Sequence, residues 1–277
     1  FFVKMKNQII IFLLFFFCFK SLSQISVSPV LIHLSDDKNS GSFTVYNTSA
    51  DTIECLTNNN FGYPVSDDSG IVYVKMLDTI PDIEPSAKDW IKLYPKNFFI
   101  YPFSSQVVRI LAKPPDNLQN GEYWSRPSIT AKKKEILDDK HSDNKTITTS
   151  IGSEIKLYLV INYRKKPVYT NVIADLIYYY FDGEKLSFLV DLERAGNAAF
   201  LGRLGIKLTD ENETFYENYN DIAVYHKLKK RIEIPKDKLK TNSFKAEIII
   251  DSERDDTGAE ILKVNPIIIR RQISITY

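Results

Sequence analysis

The chain has 277 residues, is 44% apolar and 26% charged, and carries a formal net charge of +1. That near balance, without a basic stripe, excludes nucleic-acid binding as the reason for its lysines. Two cysteines are too few for a disulfide framework.

Residues 1–23 read FFVKMKNQIIIFLLFFFCFKSLS. Lys4 and Lys6 open the segment, Ile9 to Phe19 is an apolar run, and Ser21 and Ser23 are small residues before Gln24. That order predicts a secretory signal cut before Gln24. The run spans about a dozen residues, short of the roughly 20 that cross a bilayer as a helix. Stable membrane insertion is therefore not expected once the signal is removed. Removal leaves 33 basic and 35 acidic residues, and Cys55 as the one remaining cysteine. An exported chain without an internal disulfide must be held by its core.

Strand signals follow. β-branched and aromatic residues recur in short alternating runs over Gln24–Leu34, Ser42–Tyr46, Thr52–Thr57, Ile71–Leu77, Trp90–Tyr94, Phe98–Tyr101, Gln106–Ala112 and Glu122–Ala131. No stretch sustains a helical apolar period. Residues 132–146 are charged and predict a solvated loop. Residues 147–164 read ITTSIGSEIKLYLVINYR. Ile147, Thr149, Ile151, Ser153, Ile155, Leu157, Leu159, Ile161 and Tyr163 share one parity, and Glu154, Lys156, Asn162 and Arg164 the other. Such a run is either a strand that outgrows its own sheet or two ordinary strands broken at Gly152.

Lys165-Lys166-Pro167 predicts a hinge. Beyond it, strands are expected at Val168–Tyr180, Lys185–Leu192, Leu201–Leu208, Asp221–Tyr225, Lys230–Ile234, Phe244–Asp251 and Ile267–Ile275, with turns at Gly183 and Gly196-Asn197. The fold class is all-β: short strands with frequent turns indicate a sandwich or barrel, with two regions of similar size at 24–166 and 167–277.

Signatures of chemistry are missing. His33, His141 and His226 lie far apart, and no metal-ligand spacing, nucleophile motif or phosphate-binding glycine loop occurs. The expectation is a protein without catalysis, metal or cofactor. Arg109 and Glu122 are expected to pair across neighbouring strands.

Several segments resemble the periplasmic chaperones of bacterial pilus assembly. They are Ile25-Ser26-Val27-Ser28-Pro29, Gly41 to Asn47 ending at asparagine, and Trp90 to Leu111 with Pro95, Phe98, Phe99, Pro102, Gln106, Arg109 and Ile110 in order. Gly121-Glu122-Tyr123, Ile155-Lys156-Leu157-Tyr158 and Asn162-Tyr163-Arg164 before Pro167 add to it. The resemblance covers most of 25–167 and thins out beyond. It implies an all-β protein of two immunoglobulin-like β-sandwich domains in tandem, periplasmic, that lends a long alternating strand to an incomplete pilus or fimbrial subunit, with an outer-membrane assembly platform as a further partner. The subunit-binding residues it implies are Ile147, Thr149, Ile151, Ser153 and Ile155, with Lys156 as a terminal-carboxylate anchor, alone or helped by His33. One departure stands out: the family's first-strand arginine falls near Leu31. The rival expectation is an exported structural or adhesive sandwich of a surface appendage.

Overall fold

The computed structural model describes residues 25–134, 154–211, 213–254 and 260–275. The run Gln24–Leu34 is two strands, because Pro29 offers no amide to a ladder. β1 (Ile25–Ser28) pairs with β3 (Ser40–Asn47), whereas β2 (Leu31–Ser35) crosses to another sheet. β4 (Ile53–Asn58), the hairpin β5 (Gly62–Ser66) and β6 (Val72–Met76), β7 (Ile91–Tyr94), β8 (Asn97–Ile100) and β9 (Ser105–Ala112) follow. Arg126-Pro127 splits the next run into β10 (Gly121–Ser125) and β11 (Ser128–Lys133). Lys132 and Lys133 thus lie in a strand, not in the expected loop.

The first sandwich packs the sheet β1-β3-β9-β7 over the sheet β12-β11-β4-β8, where β12 is Glu154–Tyr158. β10 pairs with β13 (Val160–Lys165), and β13 runs parallel to β2. Alternate residues of both layers meet in one core that includes Phe43, Val45, Ile53, Val108, Ile110, Ile129 and Ile161. Asn47 ends β3 inside the protein. Its Nδ2 donates to the carbonyls of Asp51 at 2.7 Å, Tyr101 at 3.0 Å and Ile100 at 3.1 Å, and its Oδ1 accepts the Ser49 amide at 2.9 Å. The asparagine is a corner that satisfies buried loop carbonyls.

Strands β14 (Thr170–Phe181), β15 (Lys185–Gly196), β16 (Phe200–Asp210), β17 (Glu213–Val224), β18 (Lys227–Pro235), β19 (Ser243–Asp251) and β20 (Ile267–Ser274) build the second sandwich. Its sheets are β14-β15-β18 and β17-β16-β19-β20. The core between them includes Phe188, Val190, Phe200, Leu204, Ile232, Phe244 and Ile248. Gly183 lies in the β14–β15 turn and Gly196 ends β15, both at positive φ. β17 starts well before the expected Asp221. The architecture is two immunoglobulin-like sandwiches in tandem.

Candidate functional site

Among the described residues β12 stands at the end of the order β12-β11-β4-β8 and β1 at the end of the order β1-β3-β9-β7 of the facing sheet. The two edges touch. They meet along one side of the sandwich. Ile155 and Leu157 of β12 and Val27 of β1 are half-buried against the first core. Ile155 stands opposite Ala131, which stands opposite Cys55, so its side chain continues an inward row to the rim. Lys156, Glu154 and Tyr158 face out, and the Lys156 ammonium sits over the Tyr158 ring at 5.6 Å. Ile147, Thr149, Ile151 and Ser153 lie outside the described residues, as do Gly152 and His141. Within the described part of the run the strand breaks at Leu159, whose amide donates to Pro127 O at 3.0 Å. Cys55 is buried, and burial pushes its thiol up to about 12. That thiol is inert at neutral pH.

His33 lies in β2 and Lys156 in β12, strands of different sheets. Leu31 stands opposite Val160, not Lys156. His33 stands opposite Asn162 and is buried, with neither ring nitrogen bonded. Burial, then the charges of Arg164 and Lys38, hold its pKa down to about 3, so the ring is neutral.

The outward face of β10, β13 and β2 is covered by the second sandwich. Sequence parity put Asn162 and Arg164 on a polar face, and that face is an inter-domain contact. The expected pair of Arg109 with Glu122 is not formed. Arg109 is exposed on β9 opposite Ser42 and Tyr94. Glu122 instead accepts Arg164 Nε at 2.7 Å and the Ala199 amide at 3.2 Å. The reason is register: β10 and β13 pair so that Glu122 and Arg164 are directly opposed. Burial pushes the Glu122 carboxyl up, against the pull of Arg164. Beside it Trp124 stacks on Phe61 at 5.6 Å and meets Tyr225 edge-on at 4.5 Å. Ala199 and Leu201 of the second sandwich complete this cluster.

A cleft of about 530 Å³ between the sandwiches is lined by Glu84, Glu122, Arg194, Asn197 and His226 among others. Its acids are largely engaged. Glu84 accepts Tyr63 Oη at 3.0 Å and faces His226 Nε2 at 3.1 Å. Burial lowers the His226 pKa, with Glu84 opposing. The cleft braces the two domains against each other.

No protein-family model matches the chain, and no curated protein matches it. Solved structures do. The chain is similar to the YadV chaperone at 12% identity and a TM-score of 0.48, over 89% of this chain and 100% of that one. It is similar to the Pseudomonas aeruginosa CupB2 chaperone at 9% identity and a TM-score of 0.41, over 90% and 100%. It is likewise similar, at 12% identity and a TM-score of 0.41 over 90% and 97%, to a chain of the Salmonella enterica SafA pilin in complex with the SafB chaperone. These structures include pilus chaperones, the family that Trp90–Leu111 and its neighbours resemble.

Proposed function

We propose that this chain is an exported, periplasmic chaperone that binds and stabilises pilus or fimbrial subunits by lending them a strand, without catalysis. The reading takes 1–23 as the signal, 24–166 as the donor-bearing sandwich and 167–277 as the second. The observation that supports it is the position of β12 at the end of its sheet order among the described residues, beside β1, with Ile155 and Leu157 half-buried at the rim. A strand added there gains backbone hydrogen bonds along the edge, and alternate side chains enter its groove. Ile147, Ile151 and Ile155 share the parity that would fill such a groove, with Thr149 and Ser153 between them. Each fully buried aliphatic side chain contributes about 1.5–3 kcal/mol. Lys156 is the cation on this strand that remains for a subunit carboxylate. Energy for release and assembly comes from the subunit's own folding.

The test is co-purification of tagged protein from the exported fraction, wild type beside Ile151→Asp and Ile155→Asp. Wild type is expected to bring down a small β-rich subunit whose sequence lacks its last strand. The substitutions are expected to reduce recovery by about 10-fold or more while leaving far-UV circular dichroism unchanged. Equal recovery from folded variants, or self-association of this chain alone, would transfer the case to a structural sandwich of the appendage.

A further inference from the structure

The hairpin β5–β6 belongs to neither sheet of the first sandwich; its strands pair only with each other. Its base is fixed in the inter-domain cluster. Gly62 O accepts Trp124 Nε1 at 3.2 Å and Arg126 Nε at 2.9 Å, and Leu77 N donates to Phe61 O at 2.9 Å. Its far end reaches the second sandwich. Ser66 Oγ accepts the Lys229 amide at 2.7 Å, and Gly70 O accepts the Arg231 amide at 3.2 Å. The Asp68 carboxylate takes Lys229 Nζ at 2.6 Å, and Val72 packs on the second core.

Lys229 and Arg231 are two residues apart on β18, so both amides point to the same side of the strand. β18 ends the order β14-β15-β18, with β15 on its other side. Among the described residues no further strand follows β18 in that order, so the hairpin occupies two donors of a terminal sheet edge, the feature through which sheets pair with foreign strands. The turn at the tip is held by its own hydrogen bonds. Asp67 Oδ1 accepts the Ile71 amide at 2.9 Å and Ser69 Oγ at 2.7 Å, and Gly70 N donates to Asp67 O at 3.1 Å. Gly70 sits at φ +80, and a Cβ there would lie 2.6 Å from Leu189 Cδ1 and 2.7 Å from Arg231 N. Only glycine allows both that backbone and that approach.

We infer that β5–β6 is a strap: it grips the second sandwich by the terminal edge of β18, fixes the direction of the two domains and closes that edge to intermolecular pairing. The inference stands apart from strand donation, since it involves neither β12 nor β1.

The experiment is residue-resolved amide exchange on the whole chain, with small-angle scattering on the same samples. In wild type the amides of Lys229 and Arg231 are expected to be protected. Gly70→Val should speed both by about 100-fold while Phe188 and Val190, in the second core, stay slow, and the radius of gyration should rise. If Gly70→Val unfolds the second sandwich, Phe188 and Val190 will exchange too, and the double variant Ser66→Ala, Asp68→Ala decides. It leaves the turn glycine in place and should speed the Lys229 amide by about 10-fold. Fast exchange at Lys229 and Arg231 in wild type, or unchanged exchange in the double variant, would overturn the strap.

Discussion

Replacing Glu122 with alanine is expected to lower the free energy of unfolding by about 3–5 kcal/mol, the range for stripping one partner from a buried ion pair. The Glu122 side chain has no exposed surface and that of Arg164 only 11%. The carboxylate satisfies two donors at once, Arg164 Nε from the first sandwich and the Ala199 amide from the second. Arg164 goes on to the carbonyl of Glu260 at 2.5 Å. Alanine would leave Arg164 Nε and the buried Ala199 amide without their acceptor, with Glu260 O still held by the other end of the guanidinium, and water enters such a contact poorly. Glu122→Gln keeps an acceptor for Ala199 and should cost clearly less. Urea denaturation of the two variants, with Arg164→Ala and the Glu122→Ala, Arg164→Ala double variant to close the cycle, measures the coupling. A loss under about 1 kcal/mol for Glu122→Ala would mean that the pair contributes no more than an exposed one.

This pair also marks where local reading of the chain gives out. Parity along 155–163 was legible: Ile155, Leu157, Leu159, Ile161 and Tyr163 do face the first core. So were the turns at Gly183 and Gly196, whose positive φ suits glycine. The burial of Asn162 and Arg164 was not legible, because what covers them is the second sandwich, and no periodicity reports a partner so far along the chain. Pairing Arg109 with Glu122 failed for a related reason. Which strands are neighbours is set by topology, and β9 and β10 lie in different sheets although they are consecutive. The signal that could have found the true pair is the antiparallel register of two runs flanking the charged loop, which sets Glu122 opposite Arg164. β5 was missed because Tyr63-Pro64-Val65 holds a proline, which argues against a central strand. Pro64 is accommodated because β5 pairs on one side only, with β6. Of the residues expected to bind a subunit, Ile155 and Lys156 are described by the structure, and both lie on β12.

Acid should weaken the fold through His33. The ring is 7% exposed, both its nitrogens are unbonded, and Asn162 opposite it also keeps Nδ2 unbonded. Arg164 and Lys38 both oppose a positive charge on the ring, and burial opposes it more. The folded protein therefore holds His33 neutral down to about pH 3, whereas the unfolded chain takes up the proton near 6.5. Between those values the unfolded state binds more protons, so stability is fully present above pH 6.5 and drains away as the pH falls toward 3. The linkage predicts a loss of about 2 kcal/mol between pH 7 and pH 5, and about 3 kcal/mol by pH 4. Most carboxylates remain ionised at pH 5, and Glu122, whose carboxyl burial raises, contributes with the opposite sign because the folded state takes up that proton first. His226 contributes in the same direction as His33, because its pKa is lowered too, though Glu84 at 3.1 Å tempers it. His33→Gln removes the titration without adding charge. Denaturant midpoints at pH 7 and pH 5 should move closer together in His33→Gln than in wild type, by most of that 2 kcal/mol. If the variant retains the wild-type pH dependence, the loss belongs to another group. If instead wild type shows no loss by pH 5, His33 must reach water or a hydrogen-bond partner when it is protonated.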